Sequence, residues 1–274
     1  MATKEEFKKF YQNNPDYFCA ASEGNTHGGL FPSHVRIHTY VRSLQGKTIG
    51  DFGCGSGHDI ERMYAPGNTY IGLDVSEGAL TEARKRFSPP GVTYQQIDFE
   101  KPSPLPDASF DVLTSFFVFE HVLNPTHTLR EMIRLLRPDG ELFLITPNYG
   151  SPLKSAPPFG PPSKKKLVRK TLRIMKTMGR RILSPQAPLD LKMIPLSAMD
   201  LSSTWASDMD ATNEPWSWEI AAYLKSHGMR TEQIYWEPVE RRELKTKPEK
   251  ILWPLRQLPL IRHLGASCVI HATK

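Results

Sequence analysis

The chain is poor in cysteine. Its 274 residues include three, Cys19, Cys54 and Cys268, too scattered for a metal-ligand spacing and odd in number, so no disulfide framework is expected. A reducing, cytoplasmic setting is the expectation. No apolar run reaches the roughly 20 residues that cross a bilayer, and Met1 to Phe10 is charged, without a signal-peptide core. Two nucleotide signatures are missing as well. There is no G-x-x-x-x-G-K-[ST] loop, which excludes a nucleotide triphosphatase of that type. The dinucleotide pattern G-x-G-x-x-G fails in both registers, because its last glycine is His58 counted from Gly53 and Ile60 counted from Gly55. Residues 164–183 lack any acid.

What is present has the balance of a globular protein: 39% hydrophobic and 23% charged residues, with a formal charge of +6. Residues 1–46 read as a helical approach segment. Phe7, Phe10 and Tyr11 suggest a short helix before Asn14-Pro15, then a loop at Gly24–Gly29 leads to a helix over about Ser33–Leu44. From Thr48 short apolar runs (Thr48–Phe52, Tyr70–Leu73, Val92–Ile97, Asp111–Phe116, Glu141–Thr146) alternate with helical stretches at His58–Tyr64, Gly78–Arg86 and Thr126–Leu136. That alternation predicts an α/β fold with a mainly parallel sheet. The rhythm stops after Pro147 and resumes with a helix at Trp218–His227 and strands at Arg230–Trp236 and Ser267–Thr273. Four segments follow: 1–46, a cofactor-binding core over 47–149, an inserted cap over 150–216, and 217–274, which completes the core around a smaller insertion at 237–264. A structureless stretch as long as 150–216 is unusual, so the cap is expected to contain helices.

The central signal is Asp51-Phe52-Gly53-Cys54-Gly55-Ser56-Gly57, between an apolar strand and a helix. Glycines let the backbone turn sharply and approach a ligand closely. The second strand ends at Asp74, about 20 residues on, where a carboxylate is placed to accept hydrogen bonds from ribose hydroxyls. The loop lacks the glycines that a pyrophosphate demands and suits a nucleoside ligand without phosphates.

Asp51–Gly57 with Asp74 resembles the first two motifs of class I S-adenosylmethionine-dependent methyltransferases. Later segments resemble the family in order: Ile97-Asp98-Phe99, Leu105–Val112, Phe119-Glu120-His121-Val122 and Leu135–Leu142. In the last, Asp139-Gly140 replaces the family's Gly-Gly, and Asp also tolerates turn geometry. The resemblance covers about 48–148 plus the final helix and two strands. It implies a Rossmann-like sheet of seven strands, the last antiparallel, with helices on both faces and S-adenosylmethionine as cofactor. It further implies Asp74 on the ribose, Asp98 and Phe99 on the adenine, and the loop of Asp51, Gly53, Cys54, Gly55 and Gly57 at the methionine end. Val75, Ser115 and Phe116 would complete the pocket wall.

An oxygen acceptor gains from a base. His121, after the fourth strand, is the candidate, and the alternative is a residue that only shapes the pocket. In Trp205–Ala211, Asp208 and Asp210 could line an acceptor site; the alternative is a solvated helix start capped by Asp208 or Asn213. No H-x-x-x-H spacing with a further acid stands out, so no metal is expected. On a helical wheel Leu167, Ile174, Met175, Met178 and Ile182 fall on one side of 164–183, and Arg169, Arg173, Lys176 and Arg180 on the other. Such a basic amphipathic helix suits an anionic membrane, a lipid-linked acceptor or another anionic partner, or else a lid packing its apolar side on the sheet.

Thr114-Ser115-Phe116-Phe117 stands where base amino-methyltransferases of the family carry [DNS]-P-P-[FYW], so no nucleic-acid partner is expected. The acceptor is read as a small molecule. The run Ile145–Gly150 and the insertion after it resemble methyltransferases of sugars, glycans and secondary metabolites, implying O-methylation. The alternatives are a quinone or other lipid methylated at the membrane, suggested by 164–183 and Leu252–Leu264, and a non-catalytic cofactor-binding subunit.

Overall fold

The computed structural model describes residues 3–13, 31–160, 163–198, 208–235, 258 and 261–274, with the side chains of 232–235 left aside. The Gly24–Gly29 loop, Trp205–Ser207, Trp236 and nearly all of the 237–264 insertion lie outside these residues.

In chain order the main elements are α1 (Lys4–Asn13), α2 (Pro32–Ser43), β1 (Thr48–Phe52), α3 (His58–Met63), β2 (Thr69–Asp74), α4 (Glu77–Arg86), β3 (Val92–Gln96), β4 (Phe110–Phe116), α5 (Pro125–Leu135), β5 (Leu136–Pro147), α6 (Lys164–Leu183), β6 (Lys192–Met193), β7 (Asn213–Glu214), α7 (Ser217–Ser226), β8 (Arg230–Tyr235) and β9 (Ser267–Thr273). Seven strands form one sheet in the order β3-β2-β1-β4-β5-β9-β8. β9 runs antiparallel to both neighbours and the remaining pairs are parallel, as expected from the sequence. The strand order reverses between β1 and β4, and in such sheets ligands bind outside the carboxyl ends of the strands at that point.

The parallel strands are apolar on both faces because helices cover both sides. Phe52, Leu73, Leu113 and Leu144 are fully buried. Local signals set the helix ends. Ser76 caps α4 by accepting from Ala79 N, and Asn124 caps α5 by accepting from His127 N. Asp139 adopts φ +60° in the turn within β5, the left-handed geometry expected for the Asp139-Gly140 replacement. That strand begins at Leu136 rather than at Glu141.

The cap region contains α6 and the two-stranded β6–β7 pair. α6 covers 164–183 as predicted, and only Ile174 and Met178 of its apolar side turn inward. Lys170, Ile174, Thr177, Met178 and Arg181 share the inward face. Ile174 and Met178 pack on the core, Lys170 Nζ lies 3.1 Å from Glu214 Oε1, and the buried Arg181 pairs with the buried Glu219 of α7. Val168, Leu172, Met175, Ile182 and Leu183 face solvent, at 58–86% exposure. Leu167, Met175 and Ile182 therefore do not form a packing face, because the buried acids Glu214 and Glu219 draw the basic residues inward. Removing one partner of a buried pair leaves an uncompensated charge. Glu219→Ala is therefore expected to destabilise the fold by about 3 kcal/mol, read as a lower urea midpoint with unchanged slope.

Candidate functional site

β1 feeds the glycine loop directly onto the end of β2. Gly53 N and Cys54 N both donate to Leu73 O, at 2.7 and 3.1 Å. Gly53 has φ +83°, and a Cβ there would come within 2.2 Å of Val118 Cγ2. Gly57 has φ +80°, and a Cβ there would meet the Tyr94 hydroxyl at 2.8 Å. Both positions exclude a side chain on backbone and packing grounds together. At the tip of β2, Asp74 accepts from Gly55 N through Oδ2 and from Ser76 N through Oδ1, each at 2.9 Å. Burial pushes its carboxyl up to about 6, against those backbone donors, which work to lower it.

Outside the carboxyl ends of β1, β2 and β4 lies a cavity of about 510 Å³, a size typical of small-ligand sites. Of the residues expected to bind cofactor, Gly53, Cys54, Gly55, Asp74, Val75, Asp98, Phe99 and Phe116 line it. Asp51, Gly57 and Ser115 do not. Asp51 is buried behind the loop, where Thr114 Oγ1 donates to its Oδ1 at 2.8 Å. Burial first, and then neighbouring Asp59, raise its carboxyl well above the ordinary range. Ser115 points to the opposite face of β4 from Thr114 and Phe116.

The cavity fits a nucleoside joined to an amino acid. Val75 and Phe99 give one end apolar walls, Asp74, held by backbone donors, lies between, and the glycine loop admits close approach at the other end. Phe99 is braced by stacking on Phe52, with ring centroids 4.4 Å apart.

The sequence reading passed over α1 as a mere approach. In the fold, Phe7, Lys8, Tyr11 and Gln12 form one wall of the cavity. Lys8 Nζ bridges Asp98 and Glu100 at 3.1 and 2.9 Å, and Phe7 packs with Val75. The i, i+4 spacing of Phe7 and Tyr11 announced an amphipathic helix, but nothing local named the surface it covers.

A group of carboxylates surrounds His121, in the short 3-10 turn Phe119–His121 that follows β4. His121 lines the cavity. Its Nδ1 lies 3.4 Å from Asp210 Oδ2, and its Nε2 lies 3.9 Å from Asp208 Oδ1 and 3.8 Å from Glu120 Oε1. The carboxylates are themselves held. Tyr11 donates to Asp210 at 2.5 Å, Thr146 donates to Glu120 at 2.8 Å, and Tyr149 donates to Asp208. Asp208 and Asp210 thus do not touch the cavity directly, yet they are no helix cap. They reach the cavity through His121. Burial works against charge on His121, but Asp210, Glu120 and Asp208 outweigh it and raise the imidazole to about 9. Burial also raises Glu120 to about 7.

One pattern passed unrecognised in the sequence. His34-Val-Arg-Ile-His38 has H-x-x-x-H spacing, and the fold brings Asp59 against both rings.

Residues 50–144 match the family described as "Methyltransferase domain". The chain is similar to a ubiquinone biosynthesis O-methyltransferase of Pseudomonas paraeruginosa, 38% identical over 107 residues, covering 38% of this chain and 46% of that protein. A protein of the same name from Dechloromonas aromatica is 36% identical over 149 residues, covering 54% of this chain and 64% of that protein. The chain thus spans only part of the curated relatives it matches. Among solved structures it is similar to an S-adenosylmethionine-dependent methyltransferase from Mesorhizobium loti, with TM-score 0.54 and 19% identity over 88% of this chain and 98% of that one. A second, from Methanosarcina mazei, gives TM-score 0.50 and 18% identity over 89% and 98%. At such identities the likeness is one of fold.

Proposed function

We propose that this chain, a class I S-adenosylmethionine-dependent methyltransferase, methylates the oxygen of a phenolic hydroxyl on a small, lipid-soluble ring. Bound in the cavity, S-adenosylmethionine supplies an electrophilic methyl group on a sulfonium. Asp74 would accept from the ribose hydroxyls, Val75 and Phe99 would flank the base, and the Gly53–Gly55 backbone would hold the amino-acid end. In-line displacement then asks the protein chiefly for alignment, which supplies roughly 7–11 kcal/mol, and for a proton acceptor.

The observation that carries the reading is the place of His121 on the cavity wall, with its Nδ1 3.4 Å from Asp210 Oδ2, where it can take the proton of an attacking hydroxyl. A phenol loses its proton near pKa ~10, about one unit from His121 at about 9. An alkyl hydroxyl, like water, sits near ~15.7. Proton transfer to neutral His121 is then uphill by about 1.4 kcal/mol for the phenol and by about 9 kcal/mol for the alcohol. The more acidic hydroxyl is the one that a single imidazole can deprotonate at modest cost. Asp210, at 3.4 Å, holds the ring and stabilises the imidazolium once it forms. The names of the relatives agree with this reading. Support for a sugar is thin, because Asn148, in the run that suggested one, brackets the backbone instead. It donates to His263 O and Gly265 O and accepts from Ser217 N.

A lipid-soluble acceptor also accounts for the outward face of α6. That helix is about 30 Å long and presents Val168, Leu172, Met175, Ile182 and Leu183 among exposed Lys164, Lys165, Arg169 and Lys176, with no acid. Such a face lies in the headgroup region of an anionic bilayer, each basic residue adding about 1 kcal/mol. Among the described residues no helix is long and apolar enough to cross one. In co-sedimentation with vesicles containing about one-third phosphatidylserine, most of the wild type is expected to pellet. The double variant Leu172→Glu, Met175→Glu should bind at least tenfold more weakly, and it alters no inward contact. Equal pelleting of the two proteins would reject this surface. Turnover itself separates the enzyme from a non-catalytic subunit, which would bind cofactor and methylate nothing.

A further inference from the structure

Away from the acceptor end, His34 and His38 sit one helical turn apart on α2 and are both nearly fully buried. Asp59 opens α3 across from them. His34 Nε2 lies 3.1 Å from Asp59 Oδ1, and His38 Nε2 lies 2.9 Å from the same oxygen. Although these are ion-pair distances, none of the three atoms makes a hydrogen bond of acceptable geometry, and all three are shielded from solvent. They converge within 4.8 Å of one another. Two imidazoles crowd onto one shielded carboxylate oxygen without good hydrogen-bond alignment to it, an arrangement that a cation among the three would resolve.

We infer that His34, His38 and Asp59 form a binding site for one divalent transition-metal ion of the zinc, cobalt or iron class. Metal–nitrogen and metal–carboxylate bonds of about 2.0–2.2 Å place neighbouring donor atoms about 2.9–3.5 Å apart, which matches both separations. Two histidines at i, i+4 present their rings on one helix face, as helical zinc sites do. Imidazole nitrogens select this class over magnesium or calcium, which prefer oxygen ligands. Two histidines and one carboxylate also leave coordination positions open. His34 and Asp59 both line the cavity, so the open side has access to water. Arg62, with Nη1 3.5 Å from Asp59 Oδ1, is the positive group that an ion there would have to displace from that oxygen. The ion would tie α2 to α3 behind the glycine loop. This inference does not depend on the identity of the acceptor.

The test uses untagged full-length protein, stripped with chelator and dialysed against micromolar Co²⁺. The expected result is one equivalent of cobalt with visible ligand-field bands, and a melting temperature that rises on loading. His38→Ala and Asp59→Asn should each lose at least a hundredfold in cobalt affinity and show no such rise. His38→Ala should still bind S-adenosylhomocysteine, which shows that it has folded; His38→Gln serves the same purpose if it has not. The acceptor-end group Glu120, His121 and Asp208 is a second place where three donors meet, so His121→Gln is the control, and it should keep the cobalt bands. Loss of the bands in His121→Gln with retention in His38→Ala would overturn the assignment. So would a wild type that takes up less than a tenth of an equivalent.

Discussion

His121→Gln should lower kcat/KM for a phenolic acceptor about a thousandfold while leaving S-adenosylhomocysteine affinity within about threefold, the scale usual for a lost general base. Glutamine keeps a polar side chain among Asp210, Asp208 and Glu120 but carries no titratable nitrogen. The sign of the pH effect follows from the raised imidazole. At pH 7 a group titrating at about 9 is neutral in about one molecule in a hundred. Since only the neutral ring accepts a proton, the wild-type rate should climb about tenfold per pH unit and level off near pH 9. In His121→Gln the levelling near pH 9 should vanish, and the residual rate should follow the acceptor's own ionisation at about 10. A variant with the wild-type pH profile and rate would show that His121 only shapes the pocket.

Asp74→Ala carries the second large effect. A ribose hydroxyl donating to a carboxylate contributes about 1.5–3 kcal/mol, roughly ten- to a hundredfold in affinity. The same carboxylate satisfies Gly55 N and Ser76 N, so alanine also releases the loop, and the loss should reach at least a hundredfold by calorimetry. Cofactor affinity has its own pH dependence. The carboxyl titrates at about 6 in the free protein and the ionised form is the better acceptor. S-adenosylhomocysteine affinity should therefore be constant above pH 7 and fall as pH drops through 6. Asp74→Asn should bind weakly at every pH, with that fall abolished. A pH-independent wild type would mean that Asp74 does not meet the ribose.

The glycine loop and Asp74 were readable because their signals are local. A strand, a run of glycines and an acid at the next strand's end lie within one βαβ unit, and its geometry follows from sequence order. Position on a strand face was less readable. Ser115 was grouped with Phe116, yet adjacent strand residues point to opposite sides, and only Phe116 reaches the cavity. The turning of α6 was not readable from its own residues, since its wheel has both an apolar and a basic side. Glu214 and Glu219, tens of residues away, decide which side is buried. The same holds for the acceptor end. His121 was visible after β4, whereas its raised proton affinity comes from Asp208 and Asp210, carried in by the cap. For His34 and His38 the spacing was in plain view, and the acid that meets both, Asp59, came from a different helix.

The most direct test of the account is transfer of a labelled methyl group from S-adenosylmethionine to acceptors of graded acidity, from catechols and simple phenols to sugars, at pH 8 with anionic vesicles present. The account predicts label on a catechol or phenol oxygen, at a rate at least a thousandfold above any sugar and lost in His121→Gln. Label on a sugar hydroxyl at a comparable rate, or transfer to phenols undiminished in His121→Gln, would contradict it.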